Sequence, residues 1–362
     1  MRKFKKQILM VLMLFILVII SSCNATETID SNKSESIENA DSIYDLMASN
    51  ISSGGPSPDG IPPIEDPVYV TTVEADTFLE DYDQVFIYES SDIVYIYPQR
   101  ILVWHEIVND FIDNEKISIT YCPLTGSTIA YSGIVADYNT DFGTSGKLLN
   151  SNLVMYDRAT DTLIPQIFGV GIEGELKGVE LNSKPVYWGK WSDVKASFPE
   201  AMVLSKETGF IRDYNDDPYG GYKPDEFNTY YFEDGILFPV MNKHQGQYND
   251  KKMVMGIKLN KRTAALNPSI VKKERVYNFE IDSSLLVAFY DERINNVRVF
   301  KSELEEKPLT FSIIDGDIVD QYGIKWHEDG FSENSDRLES VTHFEVMWFA
   351  WYAFYPKTRV IE

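Results

Sequence analysis

The chain has 362 residues, 44% of them hydrophobic and 13% aromatic, enough apolar material for one large or two ordinary domains. Its 33 basic residues face 56 acidic ones, a formal charge of −23 at pH 7. Polynucleotides and anionic lipid surfaces are bound through clustered positive charge, which this chain lacks, so nucleic-acid partners are excluded.

The first element is an export signal. Arg2, Lys3, Lys5 and Lys6 form a positive start, Ile8 to Ile20 is an apolar run, and Ser21-Ser22-Cys23 supplies small residues at a cleavage point. That order reads as a signal peptide over residues 1–22, and the run is too short for the roughly 20 residues that span a bilayer. Ile20-Ser21-Ser22-Cys23 resembles the lipobox of bacterial lipoproteins. The expectation is therefore cleavage before Cys23, acylation of that cysteine by palmitate-type chains, and a lipid-anchored, extracytoplasmic protein of the cell envelope. Without the signal, 29 basic residues remain against 56 acidic ones, about −27, which favours solubility and attraction for cations.

Residues 23–63 are rich in Ser, Asn, Asp, Gly and Pro and read as a flexible spacer, because they offer little apolar surface to offset ordering entropy. With Cys23 committed to lipid, Cys122 is the single free thiol and no internal disulfide is expected.

The body shows an internal repeat. With a shift of 169 residues, Ile101-Leu102 meets Ile270-Val271, Asn109 meets Asn278, Ile112-Asp113 meets Ile281-Asp282 and Tyr121 meets Tyr290. Trp188 and Trp191 pair with Trp348 and Trp351, and after a short gap Phe198-Pro199 and Val203-Leu204 pair with Tyr355-Pro356 and Val360-Ile361. The halves are expected at 64–205 and 252–362, joined by a loop-rich connector, 206–251. Alternation at Val94 to Tyr97, Ile117 to Tyr121 and Leu153 to Tyr156 predicts strands; Gln99 to Val108 and Trp188 to Ser197 read as helices. The class expected is α+β, strand-rich with antiparallel sheets, in two tandem pseudo-repeat halves.

Several runs are distinctive: Tyr97-Pro98 through Trp104-His105-Glu106 to Asn109-Asp110, then Tyr121-Cys122-Pro123-Leu124-Thr125-Gly126-Ser127 and Phe142 to Gly146. Asn150 to Arg158, Arg212-Asp213-Tyr214, Pro218 to Tyr222 and Trp348 to Trp351 follow. Together, from about Gly60 to the C-terminus, they resemble a bacterial family catalogued as domain of unknown function 3179. The resemblance implies no activity. Many such sequences read Tyr-Cys-Pro-Leu-Cys, whereas this chain has Thr125 at the second thiol position, which puts dithiol chemistry in doubt here.

Cys122 is the first candidate for chemistry. It ends a strand before a Thr-Gly-Ser turn whose free N–H groups suit an anion, and its counterpart in the second half is Asp291. His105 is the second, on the inward stripe Ile101, Trp104, His105 and Val108, a potential base for the thiol or a shared metal ligand. Glu106, about 100° further round a helix, does not point with His105. Asn109, Ser145, Arg158 and Tyr219 are the binding candidates around these two. The four histidines are scattered without metal-ligand spacing, so metal and cofactor are undetermined. Two functions are expected. The preferred one is a binding or scaffold lipoprotein with a small-molecule or protein partner. The alternative is an extracytoplasmic enzyme or metal-handling protein centred on Cys122 and His105.

Overall fold

Val85 to Tyr97 is dominated by β-branched and aromatic residues, which favour the pleated backbone. In the computed structural model, which describes residues 41–223 and 229–362, it is a hairpin of strands Gln84–Glu89 and Val94–Pro98. Tyr187–Lys190 pairs antiparallel with the first arm and Met202–Leu204 parallel with the second, and Tyr69–Val70 closes the edge. Val85 and Ile87 pack against Trp191, Val194 and Val203, while Phe86 and Tyr88 pack on the opposite side with Ile101, Ile119 and Tyr121. Both faces are buried, so the strand reads as an apolar run instead of an alternation.

Helix Gln99–His105 leaves this hairpin and runs into a meander of Ile107–Ile112, Glu115–Cys122 and Ser127–Ser132. Ile117, Ile119 and Tyr121 point into the core shared with the hairpin. Behind the meander lies a sheet of Phe142–Leu149, Asn152–Asp157 and Leu163–Pro165. A second array follows: hairpin Met253–Leu259 and Arg262–Leu266, helix Pro268–Glu274, and a meander of Val276–Ile281, Ser284–Asp291 and Asn296–Lys301. Thr342–Met347 adds antiparallel to its first arm and Arg359–Ile361 parallel to its second. From Gln99 and Pro268 onward, helix and meander strands begin 169 residues apart in the two arrays. The fold is α+β, strand-rich and mainly antiparallel.

Several expectations need correction. The first helix stops at His105 instead of Val108: Glu106 turns left-handed (φ 59°), and β-branched Ile107 and Val108 enter the meander opposite Thr120 and Ile119. Trp188 belongs to a strand and only Trp191–Ser197 is helical, so Trp191, not Trp188, stands where Trp348 does, as first residue of its helix. With that register Phe198 and Tyr355 share nearly the same C-cap backbone, φ −129° and −127°, and no gap is needed before Val203 and Val360. Trp191, Trp348 and Trp351 are fully buried core residues.

The chain divides into two units, Met1–Ser49 and Asn50–Glu362. In the first, residues 41–49 are helical. The signal segment, Cys23 and the spacer up to residue 40 lie outside the described residues. In the second unit the end of the expected spacer is not loose. Ser52–Ser53 pairs with Phe142–Leu149, Gly54 N–H donates to Gly146 O at 2.8 Å, and Thr144 Oγ1 donates to Ile61 O at 2.7 Å. Composition missed this because the segment docks through backbone bonds to a sheet edge, not through apolar burial. Gly146 is required there: its φ is 71°, and a Cβ would sit 2.0 Å from Pro56 O. The two arrays also meet. Arg298 donates to both oxygens of Glu89 at 2.6 and 2.8 Å, Asn296 Nδ2 to Trp188 O at 2.8 Å, and Met347 N–H to Thr125 O at 2.9 Å.

Candidate functional site

The end of strand Glu115–Cys122 and the start of Ile107–Ile112 lie side by side, with Tyr121 N–H donating to Glu106 O at 2.7 Å. The helix C-terminus must reverse into a strand within one residue, and Glu106 takes the left-handed conformation that most side chains avoid. The turn swings its carboxyl inward, leaving the residue 8% exposed. Among the described residues nothing hydrogen-bonds or ion-pairs with that carboxyl, and burial pushes its pKa up to about 8. Cys122 is 1% exposed; its Sγ accepts the Leu153 N–H at 3.3 Å. Burial, then the nearby Glu106 carboxyl, pushes the thiol up to about 11, so at neutral pH it is a neutral thiol. Tyr219 is the third member: burial and then Glu106 and Cys122 raise its phenol well above the ordinary range.

The connector supplies the roof. The Tyr219 and Tyr230 ring centroids are 5.8 Å apart at 64°, Tyr231 stacks on Tyr222 at 4.1 Å, and Tyr230 OH donates to Leu124 O at 2.8 Å. Tyr222 and Tyr121 share a hydroxyl contact of 2.9 Å, and Gln99 Nε2 donates to Asp217 Oδ2 at 2.8 Å. The Lys251 ammonium lies 3.5 Å above the Tyr230 ring, and burial lowers its pKa.

Of the predicted residues, Cys122 and Tyr219 come together here and the others do not. His105 is fully buried, with Nδ1 bonded to Pro62 O at 2.7 Å and Nε2 to Tyr214 OH at 2.7 Å. Both ring nitrogens are taken, so the expected thiol–imidazole pair is not formed. Burial lowers its pKa, which fits a neutral ring pinning the docked segment and the connector. Asn109 is a backbone clamp: its side chain donates to Phe142 O at 2.9 Å and accepts from Phe142 N–H at 3.3 Å. Asn278 does the same to Phe311, at 2.8 and 2.9 Å, so this role is architectural in both arrays. Ser145 donates to Val154 O and accepts from Lys147 N–H, bridging the bulge in its strand. Arg158 is neutralised by Asp59 at 3.0 Å and Glu65 at 2.7 Å, which leaves no clamp for an external anion.

Sequence comparison matches residues 58–358 to the family described as "Protein of unknown function (DUF3179)". The chain belongs to this family. No curated protein and no solved structure matches it. In this DUF3179 chain the turn after Cys122 packs against the second array. Thr125 O accepts from Met347, and a Cβ at Gly126 would lie 3.3 Å from Met253 Sδ and Met347 Cε. The Thr125 hydroxyl bonds Ser127 at 2.9 Å and Asn152 at 3.0 Å, in a buried network completed by Gln166. Among the described residues there is no cluster of three or more His, Cys, Asp or Glu able to hold a metal. His244 faces a cavity of about 480 Å³ beside Leu237, Phe238 and Phe349. Its Nε2 bonds Asp250 at 2.6 Å and its Nδ1 accepts the Gly246 N–H at 3.1 Å. Sequence reading missed Glu106 as a site residue because it placed that residue inside a helix. The signal was the helix running directly into a strand.

Proposed function

We propose that this chain is an exported, lipid-anchored binding protein of the cell envelope, cut before Cys23 and tethered to a bacterial membrane through lipid on that residue. The basic start, the apolar run from Ile8 to Ile20 and Ser21-Ser22-Cys23 support export and anchoring. Among the described residues no helix is long and apolar enough to cross a membrane. The binding reading is carried by one observation: among the described residues nothing bonds the carboxyl of Glu106, a buried residue on a left-handed turn beside the end of the Cys122 strand, where the connector's Tyr230 reaches Leu124. The enzymatic alternative loses support because His105 spends both nitrogens elsewhere and Cys122 is a shielded neutral thiol.

The two arrays are best understood as an internal duplication whose copies diverged. The shared 169-residue offset and the paired Asn109 and Asn278 clamps favour that origin. Asp291 holding Arg298 and Arg293 at the place of Cys122 favours a ligand site kept in the first copy alone.

Palmitate labelling of the full chain in a bacterial host tests the anchor: label should enter the wild type and be lost in Cys23→Ser. Binding is tested by thermal shift of the full chain in detergent across small cations, anions and neutral solutes, with Tyr219→Leu as the site control. A shift in wild type that Tyr219→Leu abolishes supports the reading, and no shift from any solute refutes it.

A further inference from the structure

The end of the connector carries apolar side chains that the core does not use. Ile236 to Val240 is an unbroken apolar run in which no residue is buried and Leu237 is 63% exposed. Isolated apolar residues are ordinary on a surface, whereas a contiguous run marks a place of contact. The run is anchored at its end: Met241 N–H donates to Asn150 Oδ1 at 2.7 Å and Asn242 Nδ2 to Ala353 O at 2.8 Å. With Phe349 it walls the cavity of about 480 Å³, a volume typical of ligand pockets, whose remaining lining includes Lys243, His244 and Asp250.

Asp250 has a counterpart in the first array, and the two carboxylates are treated differently. Phe349 N–H donates to Asp250 O at 2.9 Å, as Ser192 N–H does to Asp81 O at 3.0 Å, each from the second residue of its helix. Asp81 is neutralised by Lys195 of that helix, Nζ to Oδ1 at 2.8 Å. In the second array Phe349 stands for Ser192 and Tyr352 for Lys195, so the helix offers an apolar wall and no cation. Asp250 is held by His244 instead, Nε2 to Oδ1 at 2.6 Å. The Gly246 N–H, which can only donate, meets His244 Nδ1 at 3.1 Å, so the ring proton sits on Nε2 and the imidazole is neutral. The histidine orients the carboxylate without cancelling its charge, and the Trp348 and Tyr352 rings, 5.9 and 6.1 Å away, pack it in place. The adjacent Lys251 is committed to Tyr230, its ammonium 3.5 Å above that ring. Lys243, on the cavity wall, has no hydrogen bond or ion pair among the described residues.

We infer that the cavity between the connector and helix Trp348–Phe354 binds a small zwitterion with an apolar body, the chemistry of an apolar α-amino acid. Its ammonium would meet Asp250, its carboxylate Lys243, and its side chain Leu237, Phe238 and Phe349. One uncancelled charge of each sign on an apolar wall matches a ligand carrying one of each, whereas a simple cation or anion leaves a wall charge unanswered. Catalysis does not fit, because both imidazole nitrogens are bonded and neither a hydroxyl nor a thiol lines the cavity. A metal is the poorer occupant, since His244 and Asp250 are two donors already bonded to each other, where a zinc site needs at least three from protein. The site belongs to the second array and does not depend on Glu106.

The test is calorimetric titration of the full chain, held in phosphatidylcholine nanodiscs, with L-leucine and three analogues that each lack one feature. Isopentylamine has no carboxylate, 4-methylpentanoate no ammonium and glycine no apolar body. Expected are saturable binding of leucine, binding about fivefold weaker for either single-charge analogue, as suits half-exposed ion pairs, and none for glycine. Lys243→Gln should weaken leucine about fivefold and leave isopentylamine unchanged; Asp250→Asn should weaken leucine and leave 4-methylpentanoate unchanged. Leu237→Asp should abolish leucine binding. Lys243 and Leu237 are exposed, so their variants keep the test intact if Asp250→Asn folds poorly. Tyr219→Leu should change nothing, which separates this cavity from the Glu106 site. Isopentylamine or 4-methylpentanoate binding as tightly as leucine would overturn the zwitterion. Leucine binding indifferent to Lys243→Gln and Leu237→Asp would overturn the site. Absence of leucine binding overturns the inference whatever the Glu106 site binds.

Discussion

Glu106→Gln should make the protein more stable, by an amount that grows with pH. In the wild type the carboxyl titrates near its ordinary 4.5 when unfolded and at about 8 when folded. A group raised in this way contributes its full stabilisation below pH 4.5 and loses it as pH climbs through 8, because the unfolded chain gives up its proton first. At about 1.36 kcal/mol per tenfold, the loss is roughly 3 kcal/mol by pH 7 and about 4 to 5 kcal/mol by pH 8.5. Glutamine keeps the shape and cannot ionise, so the variant escapes this loss while every other titration is common to both proteins. Urea unfolding of the full chain at pH 4.5, 6, 7 and 8.5, wild type beside variant, gives the difference directly. Stopping at pH 8.5 keeps Cys122, at about 11 in the fold, out of the window. A variant-minus-wild-type difference that stays flat from pH 4.5 to 8.5 would refute the claim that Glu106 is buried without a partner.

Arg298→Ala should destabilise the protein by about 3 to 5 kcal/mol in urea unfolding, because Asp291, fully buried, loses the guanidinium it shares with Glu89. Adding Asp291→Asn should recover part of that loss. Gly146→Ala should free the segment from Ser52 to Pro62, since the new Cβ collides with Pro56 O; limited proteolysis should then cut there in the folded variant and spare the wild type. Trp191→Ala should cost about 3 to 5 kcal/mol by the same urea assay, as a fully buried indole leaves a cavity and Asp76 loses its Nε1–H bond.

The parts of the fold that were legible in the sequence are those where local and tertiary preferences agree. Ile117 to Tyr121 alternates because one face meets the core and the other meets Asn109 and Ile129 O. The strand-rich α+β class followed from such runs. The failures share a cause in contacts distant along the chain. Trp188 to Lys190 carries a helix-like pattern, yet Gln84 to Phe86, far earlier in the chain, offers it a ladder. Residues 52–62 look too polar and flexible to fold, yet the edge strand Phe142–Leu149 and the His105 ring hold them. The site was half visible. Cys122 stood out as a lone thiol and Tyr219 was among the binding candidates, but the position of Glu106 depends on one left-handed residue that no periodicity announces. His105 misled because inward facing was taken as reactive, whereas its two bonds complete an anchor between Pro62 and Tyr214.

The most direct test of a shielded neutral thiol at the centre of a binding site, as opposed to an activated nucleophile, is the alkylation rate of Cys122 in the folded full chain from pH 6 to 10, followed on the Cys122 peptide by mass spectrometry. The expected result is negligible modification below pH 9, a rate that rises only with urea-induced unfolding, and no change on this axis in His105→Ala. Rapid modification of the native protein with a midpoint near pH 7, slowed by His105→Ala, would contradict the account and restore the catalytic reading.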